Sequence, residues 1–160
     1  MFSIGDKVVY PMHGAGIIEA VEEKSVLGEL RQYYVLRCAF SDMKVWIPCD
    51  SSDMIGVREV IHPDKTPHVM EILSNASSEM SGNWNRRYRE NMEKLKTGET
   101  GNVAEVVRNL MRIDRVKKLS TGEKKMLASA KQMLISELIL SGDEEAGELE
   151  DRIEKVVCGL

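Results

Sequence analysis

The sequence predicts an α+β protein: a small N-terminal SH3-like or Tudor-like β-barrel followed by a compact C-terminal α-helical bundle. Three observations carry that prediction. Up to about residue 60 the hydrophobic pattern has period two and is rich in β-branched and aromatic residues. Beyond it, apolar residues recur at helical spacing. Between them lies Ile61-His62-Pro63-Asp64-Lys65-Thr66-Pro67, a proline-bearing segment that breaks both patterns. The boundary falls there, giving one domain over residues 1–62 and a second over 63–160.

In the first part, Lys7-Val8-Val9-Tyr10 reads as a strand stopped by Pro11, and Gly16 to Val21 as a second. Gly14-Ala15-Gly16 lacks the third glycine of a dinucleotide fingerprint and reads as the turn between them. Arg31 to Cys38 forms a third strand after a turn at Gly28, and Met43 to Pro48 a fourth after a turn at Ser41-Asp42. Ile55 to Val60 is a short fifth. Five short strands in so few residues favour a barrel, which limits open sheet edges.

The second part opens with a helix from His68 to about Ser78. Asn83 is placed to cap a second, Trp84 to Lys96, which stops at Thr97-Gly98. Asn102 with Glu105 reads as the cap pair of a third, with Val103, Val106, Val107, Leu110 and Ile113 on one face. Ser120-Thr121-Gly122-Glu123 is a capping box ahead of a long helix striped by Leu127, Ala130, Leu134 and Leu138. Ser141 with Glu144 opens the last helix, whose stripe is Leu149, Ile153 and Val156.

Composition narrows the function. The chain has 160 residues, 22 basic against 26 acidic, and a formal charge of −4. At that length roughly two-thirds of the unfolded surface can be buried, so the fold needs no staples. Cys38, Cys49 and Cys158 are too scattered for a disulfide framework, and neither they nor His13, His62 and His68 stand at metal-ligand spacing. No nucleotide-binding loop or hydrolase motif is present, so the expectation is a protein that is not an enzyme and has no cofactor and no metal. No apolar run approaches the ~18 residues of a membrane span, and the N-terminus lacks the features of a signal peptide. The expectation is a cytoplasmic protein without a membrane partner.

Charge divides along the same seams. Residues 1–60 carry net −3, residues 61–141 net +4 and residues 142–160 net −5. The middle helices are therefore the surface suited to a polyanion, and the acidic end (Asp143, Glu144, Glu145, Glu148, Glu150, Asp151) reads as a solvated face or as one that repels nucleic acid.

Within those helices, Asn83-Trp84-Asn85-Arg86-Arg87-Tyr88-Arg89 is the stretch that core-building does not explain. A tryptophan stands at a helix start with Arg86, Arg87 and Arg89 in the next two turns. Helix N-termini present unpaired N–H groups and a positive dipole end, arginine adds planar phosphate contacts, and apolar wedges flanked by basic groups grip deformable DNA. The alternative is that Trp84 packs onto the bundle and the arginines are a solvated face. Lys117, Lys118, Lys124 and Lys125 form a second basic cluster, either an extension of the same track or a solvated helix start.

The sequence resembles the CarD/CdnL family of bacterial RNA polymerase-binding transcription regulators. The matching residues are Gly5-Asp6-Lys7-Val8-Val9-Tyr10-Pro11 with His13-Gly14, then Asn83 to Asn91 with Glu93-Lys94-Leu95, then Val103 to Leu110, then Leu119 to Leu127. The match spans nearly the whole chain in order, and only the last 20 residues match loosely. The resemblance implies that the Tudor-like module docks on the polymerase β subunit, through positions around Lys24, Val26 and Trp46. This sequence departs there from the arginine the family often carries at the Lys24 and Trp46 positions. Alternation places Lys44 and Trp46 opposite Val45 and Ile47, which exposes Trp46 as an apolar anchor; the alternative is a barrel-core tryptophan.

The resemblance further implies that the helices contact promoter DNA at the upstream edge of the melted bubble. Trp84 would wedge into the minor groove and stabilise the open complex. The implied DNA contacts are Trp84, Arg86, Arg87, Arg89, Lys124 and Lys125, made by a monomer that binds free DNA weakly. Two other readings compete: a stand-alone architectural DNA binder, and an interaction adaptor whose helices are only structural.

Overall fold

Residues 1–142 and 144–159 are described in a computed structural model. Five strands form one antiparallel sheet: β1 (Lys7–Tyr10), β2 (Gly14–Val26), β3 (Glu29–Cys38), β4 (Lys44–Pro48) and β5 (Arg58–Glu59). Their order is β4-β3-β2-β1-β5. Alternation sends Val8, Ile18, Tyr34, Leu36 and Ile47 to one face, where they bury with Val57 into a small apolar core. The other face carries Val9 and Ala15, also buried, and there the helices dock. A five-stranded antiparallel sheet followed by helices is consistent with the expected Tudor-like β-barrel and helical bundle.

The helices are α1 (Ser52–Ile55), α2 (Thr66–Ser74), α3 (Trp84–Lys96), α4 (Thr100–Val116), α5 (Thr121–Gly142) and α6 (Ala146–Cys158). The second core lies among α2 to α6, around Leu73, Leu95, Val107, Leu110, Leu134, Leu149 and Ile153. Helix α5 is central: every residue from Met133 to Leu138 is buried, Ser136 and Glu137 included. No helix among the described residues is long and apolar enough to cross a membrane.

Several element bounds differ from the expected ones, each for a local reason. The turn after β1 falls at Pro11–His13, with Met12 at φ 72, while Gly14 to Gly16 already pair as strand. Gly16 has to be glycine, since a Cβ there would meet the Arg37 carbonyl oxygen at 2.3 Å. Strand β2 continues past Val21 to Val26 because its ladder with β3 needs no burial: residues 21–30 are all exposed and form a projecting hairpin. Leu27 (φ 53) and Gly28 (φ 82) close it with the paired positive φ values of a type I′ turn. Of the expected fifth strand, only Arg58 and Glu59 pair with β1, and residues 52–55 form one helical turn ended by Gly56.

Helix α2 starts two residues earlier than expected, since proline is well tolerated in the first turn. It ends at Ser74 because Arg108 and Arg112 take its last carbonyls: Arg108 Nη1 donates to Ile72 at 2.8 Å and Arg112 Nη1 to Asn75 at 2.7 Å. Helix α4 starts at Thr100, so Asn102 lies in its first turn and is no cap; its side-chain amide donates to Thr97 Oγ1 at 3.0 Å. Ser141 does not open α6. It belongs to the last turn of α5 and donates to the Ile61 carbonyl at 2.7 Å, while α6 begins at Ala146. Asp143, expected in the acidic end, lies outside the described residues.

Sheet and helices meet across a polar joint set in close apolar packing. Glu137 of α5, 3% exposed, accepts from Arg58 Nη1 at 2.6 Å and Nη2 at 2.9 Å, from Thr100 Oγ1 at 2.8 Å and from the Ile61 N–H at 2.9 Å. Arg58 Nη2 also donates to the Gly98 carbonyl at 2.7 Å. Ser136 Oγ accepts from the Ala15 N–H at 2.9 Å. Pro11 lies against Gly98 (φ 69), where a Cβ would come within 2.9 Å of its ring. The conspicuous Pro11–Gly16 segment is thus the sheet's seat on the helices.

Candidate functional site

Two exposed surfaces collect the candidate residues. The first is the start of α3. Asn83 caps it as expected, its Oδ1 accepting from the Asn85 N–H at 3.0 Å and the Arg86 N–H at 3.3 Å. With the cap on the residue before it, Trp84 is the first helical residue, and it is 56% exposed. At that exposure Trp84 is not a residue of the buried helical core. Arg86 is exposed and pairs with Glu90 at 3.0 Å. Arg89 is exposed and has no ion-pair partner among the described residues.

Arg87 stands apart from its neighbours, and the expectation that it faces a phosphate does not fit. It is 8% exposed and turned inward, with Nε and Nη2 each 2.7 Å from a Glu123 carboxylate oxygen. A guanidinium already engaged by a fork of two short charge-assisted bonds has little left for DNA. The pair has the expected electrostatic signature. The hydrogen bond from Arg87 holds the Glu123 carboxyl below the ordinary glutamate range despite its burial, and Glu123 raises Arg87 in turn. A signal for this was present in the spacing: Arg87, Asn91 and Leu95 fall at i, i+4 and i+8, and they are the residues α3 buries.

The same pair brings the second basic cluster to the first. Glu123 lies in the opening turn of α5, where its N–H donates to the Ser120 hydroxyl at 3.2 Å. The capping box is therefore half formed, its carboxylate having gone to Arg87. Lys124 and Lys125 follow directly, both exposed and without ion-pair partners among the described residues. Trp84, Arg86, Arg89, Lys124 and Lys125 thus belong to the adjoining ends of two helices joined by one buried ion pair.

The second surface is the projecting β2–β3 hairpin with β4. Trp46 is 37% exposed, while its neighbour Ile47 is fully buried, as alternation requires. Its indole N–H donates to Glu22 Oε2 at 2.9 Å, and Lys24 Nζ lies 3.9 Å from the ring centroid. A cation over an indole at an exposed site contributes about 0.5–1 kcal/mol. Lys24 and Trp46, expected at one contact, are therefore in contact with each other, and Val26 is exposed farther along the same strand. Leu27 and Leu30 are further exposed apolar residues at the tip, and Leu30, paired with Ser25, lies on the sheet face opposite Lys24, Val26 and Trp46.

Burial pushes the Cys38 and Cys49 thiols up, away from the thiolate form. Among the described residues no group of three histidine, cysteine or acidic side chains is gathered for a metal.

Residues 2–61 match the family model described as the CarD-like/TRCF RID domain, and residues 68–154 match that of the CarD C-terminal domain. The chain belongs to the CarD family. A relative in Bacillus subtilis (strain 168), named "Putative transcription factor YdeB", is 49% identical to this CarD-family chain over 138 residues, covering 86% of this chain and 90% of the relative. This CarD-family protein is accordingly a transcription regulator, of a family of transcription factors.

Proposed function

We propose that this CarD-family protein binds the RNA polymerase β subunit through residues 1–62 and stabilises the open promoter complex through residues 63–160. Lys24, Val26 and Trp46 make the polymerase contact. Trp84 enters the minor groove at the upstream edge of the bubble, with Arg86, Arg89, Lys124 and Lys125 on the flanking phosphates. The observation that carries this reading is the large, half-exposed indole of Trp84 on the first turn of α3, at a capped N-terminus whose helix also carries the exposed Arg86, paired with Glu90, and Arg89. An apolar wedge must be free of the core before it can enter a groove, and unstacking a base step is repaid by the contacts that follow. The protein acts as a cytoplasmic monomer. Binding to free duplex is weak and falls steeply with salt, since few phosphates are met and no helix reads base edges.

The test compares open-complex lifetime on one promoter with polymerase capture. Trp84→Ala is expected to melt within about 1 kcal/mol of wild type, as exposed positions do, and to bind polymerase normally while shortening the lifetime. Lys24→Glu is expected to lose capture. Arg86→Glu and Arg89→Glu are expected to shorten the lifetime by an amount that shrinks as salt rises. A stable Trp84→Ala protein with an unchanged lifetime refutes the DNA contact, and a Lys24→Glu protein that still co-purifies with polymerase refutes the docking face.

A further inference from the structure

The first turn of α3 has an unusual attachment. The helix is secured at its far end by Leu95, 1% exposed in the helical core. Nearer its start, the residues it buries are polar: Arg87 and Asn91. Arg87 reaches in two directions. Its Nε and Nη2 fork onto Glu123 of α5, and its Nη1 lies 3.5 Å from the Ser81 carbonyl, in the irregular segment leading into Trp84. One guanidinium therefore holds both flanks of the tryptophan, the chain three residues before it and the helix three residues after it. Tyr88 rests on the same end of α5, its ring 3.7 Å from the place a Cβ on Gly122 would occupy.

Apolar packing tolerates small rotations, whereas a two-pronged ion pair fixes direction as well as distance. Glu123 is 1% exposed and tied to its own helix through Ser120, which donates to it at 3.3 Å. It is a rigid post rather than a mobile surface acid. We infer that Arg87 and Glu123 form a positioning pair that sets the angle at which Trp84 is presented to DNA. This rests on the reading that Trp84 contacts DNA, and it gives a role to the one arginine of the cluster that faces inward.

The alternative role for such a pair is stability alone, and buried ion pairs are weak evidence for stability in either direction. The two roles separate experimentally. Glu123→Gln keeps the shape and removes the charge; Arg87→Lys keeps the charge and removes the fork; Arg87→Glu with Glu123→Arg restores a pair with the charges exchanged. Each is made in the full chain and studied well below its melting temperature. Acrylamide quenching of Trp84 is read on a Trp46→Phe background, in which it is the remaining tryptophan. Open-complex lifetime and polymerase capture are read with Trp46 in place.

Glu123→Gln and Arg87→Lys are expected to alter Trp84 quenching in the folded protein and to shorten the lifetime by about tenfold, equivalent to about 1.4 kcal/mol of lost complementarity. Polymerase capture stays unchanged, and the exchanged pair recovers most of the lifetime. Quenching and lifetime that both stay at wild-type values while melting falls would overturn the inference and leave a structural pair. An unchanged lifetime in Trp84→Ala would instead defeat the DNA reading on which it rests, a result distinct from any of these. If Glu123→Gln fails to fold, Arg87→Lys and the exchanged pair decide the question.

Discussion

Removing the Glu137 carboxylate should uncouple the sheet from the helices. In Glu137→Ala, Arg58 loses the acceptor of two hydrogen bonds at 2.6 and 2.9 Å, and the Ile61 N–H and Thr100 hydroxyl lose theirs at 2.9 and 2.8 Å. Breaking a buried ion pair from one side costs about 3–5 kcal/mol. The lower end applies, because the Arg58 side chain is 30% exposed and keeps the Gly98 carbonyl, so water and one acceptor compensate in part. A loss of about 3 kcal/mol lowers the melting temperature of a chain this size by about 6–12 °C. The two tryptophans allow the two parts to be followed separately: Trp84→Phe leaves Trp46 reporting on the sheet, and Trp46→Phe leaves Trp84 reporting on the helices. Urea transitions of the two reporters should coincide with Glu137 present, and shift down and part company with alanine. A loss under about 1 kcal/mol with the transitions still superimposed would refute the claim that this joint holds the molecule together.

Two further outcomes follow from local geometry. Gly16→Ala should cost several kcal/mol in urea titration, because its Cβ would meet a backbone oxygen at 2.3 Å and the strand must move to relieve it. Acid should weaken the protein through Glu123. A carboxyl whose folded-state value is lowered contributes stability above its unfolded value, about pH 4, and loses it as the pH falls through the folded value. Glu123→Gln should therefore flatten the fall in stability below about pH 4, and an identical pH dependence in the two proteins would contradict this.

Much of this architecture was legible because it follows from local rules. Period-two patterning located β1, β3 and β4, and Asn83 and Ser120 marked helix starts through hydrogen bonds their side chains do make. What escaped was set by partners distant in sequence. Asn102 and Ser141 have capping chemistry, but Thr97 and Ile61 claim their side chains. Hairpin residues 22–26 carry no burial pattern because pairing alone holds them. Arg87 looked like its neighbours until helical spacing was set against the buried face. The joint left one trace in the sequence: Ser136-Glu137, a polar pair inside the apolar run Met133 to Leu140. A charge in such a place needs a partner, and nothing local shows that the partner is Arg58.

The two parts read in sequence as separable modules, yet each contributes half of the surface where they meet. Pro11 needs a glycine at Gly98, the Ala15 N–H needs the hydroxyl of Ser136, and Arg58 needs Glu137. Shuffling a front half from one relative onto a back half from another would therefore transplant these partners incompletely. Such a chimera keeps two intact cores and misfits at the seam, so inheritance of the halves is tied at a handful of positions that lie on neither candidate surface.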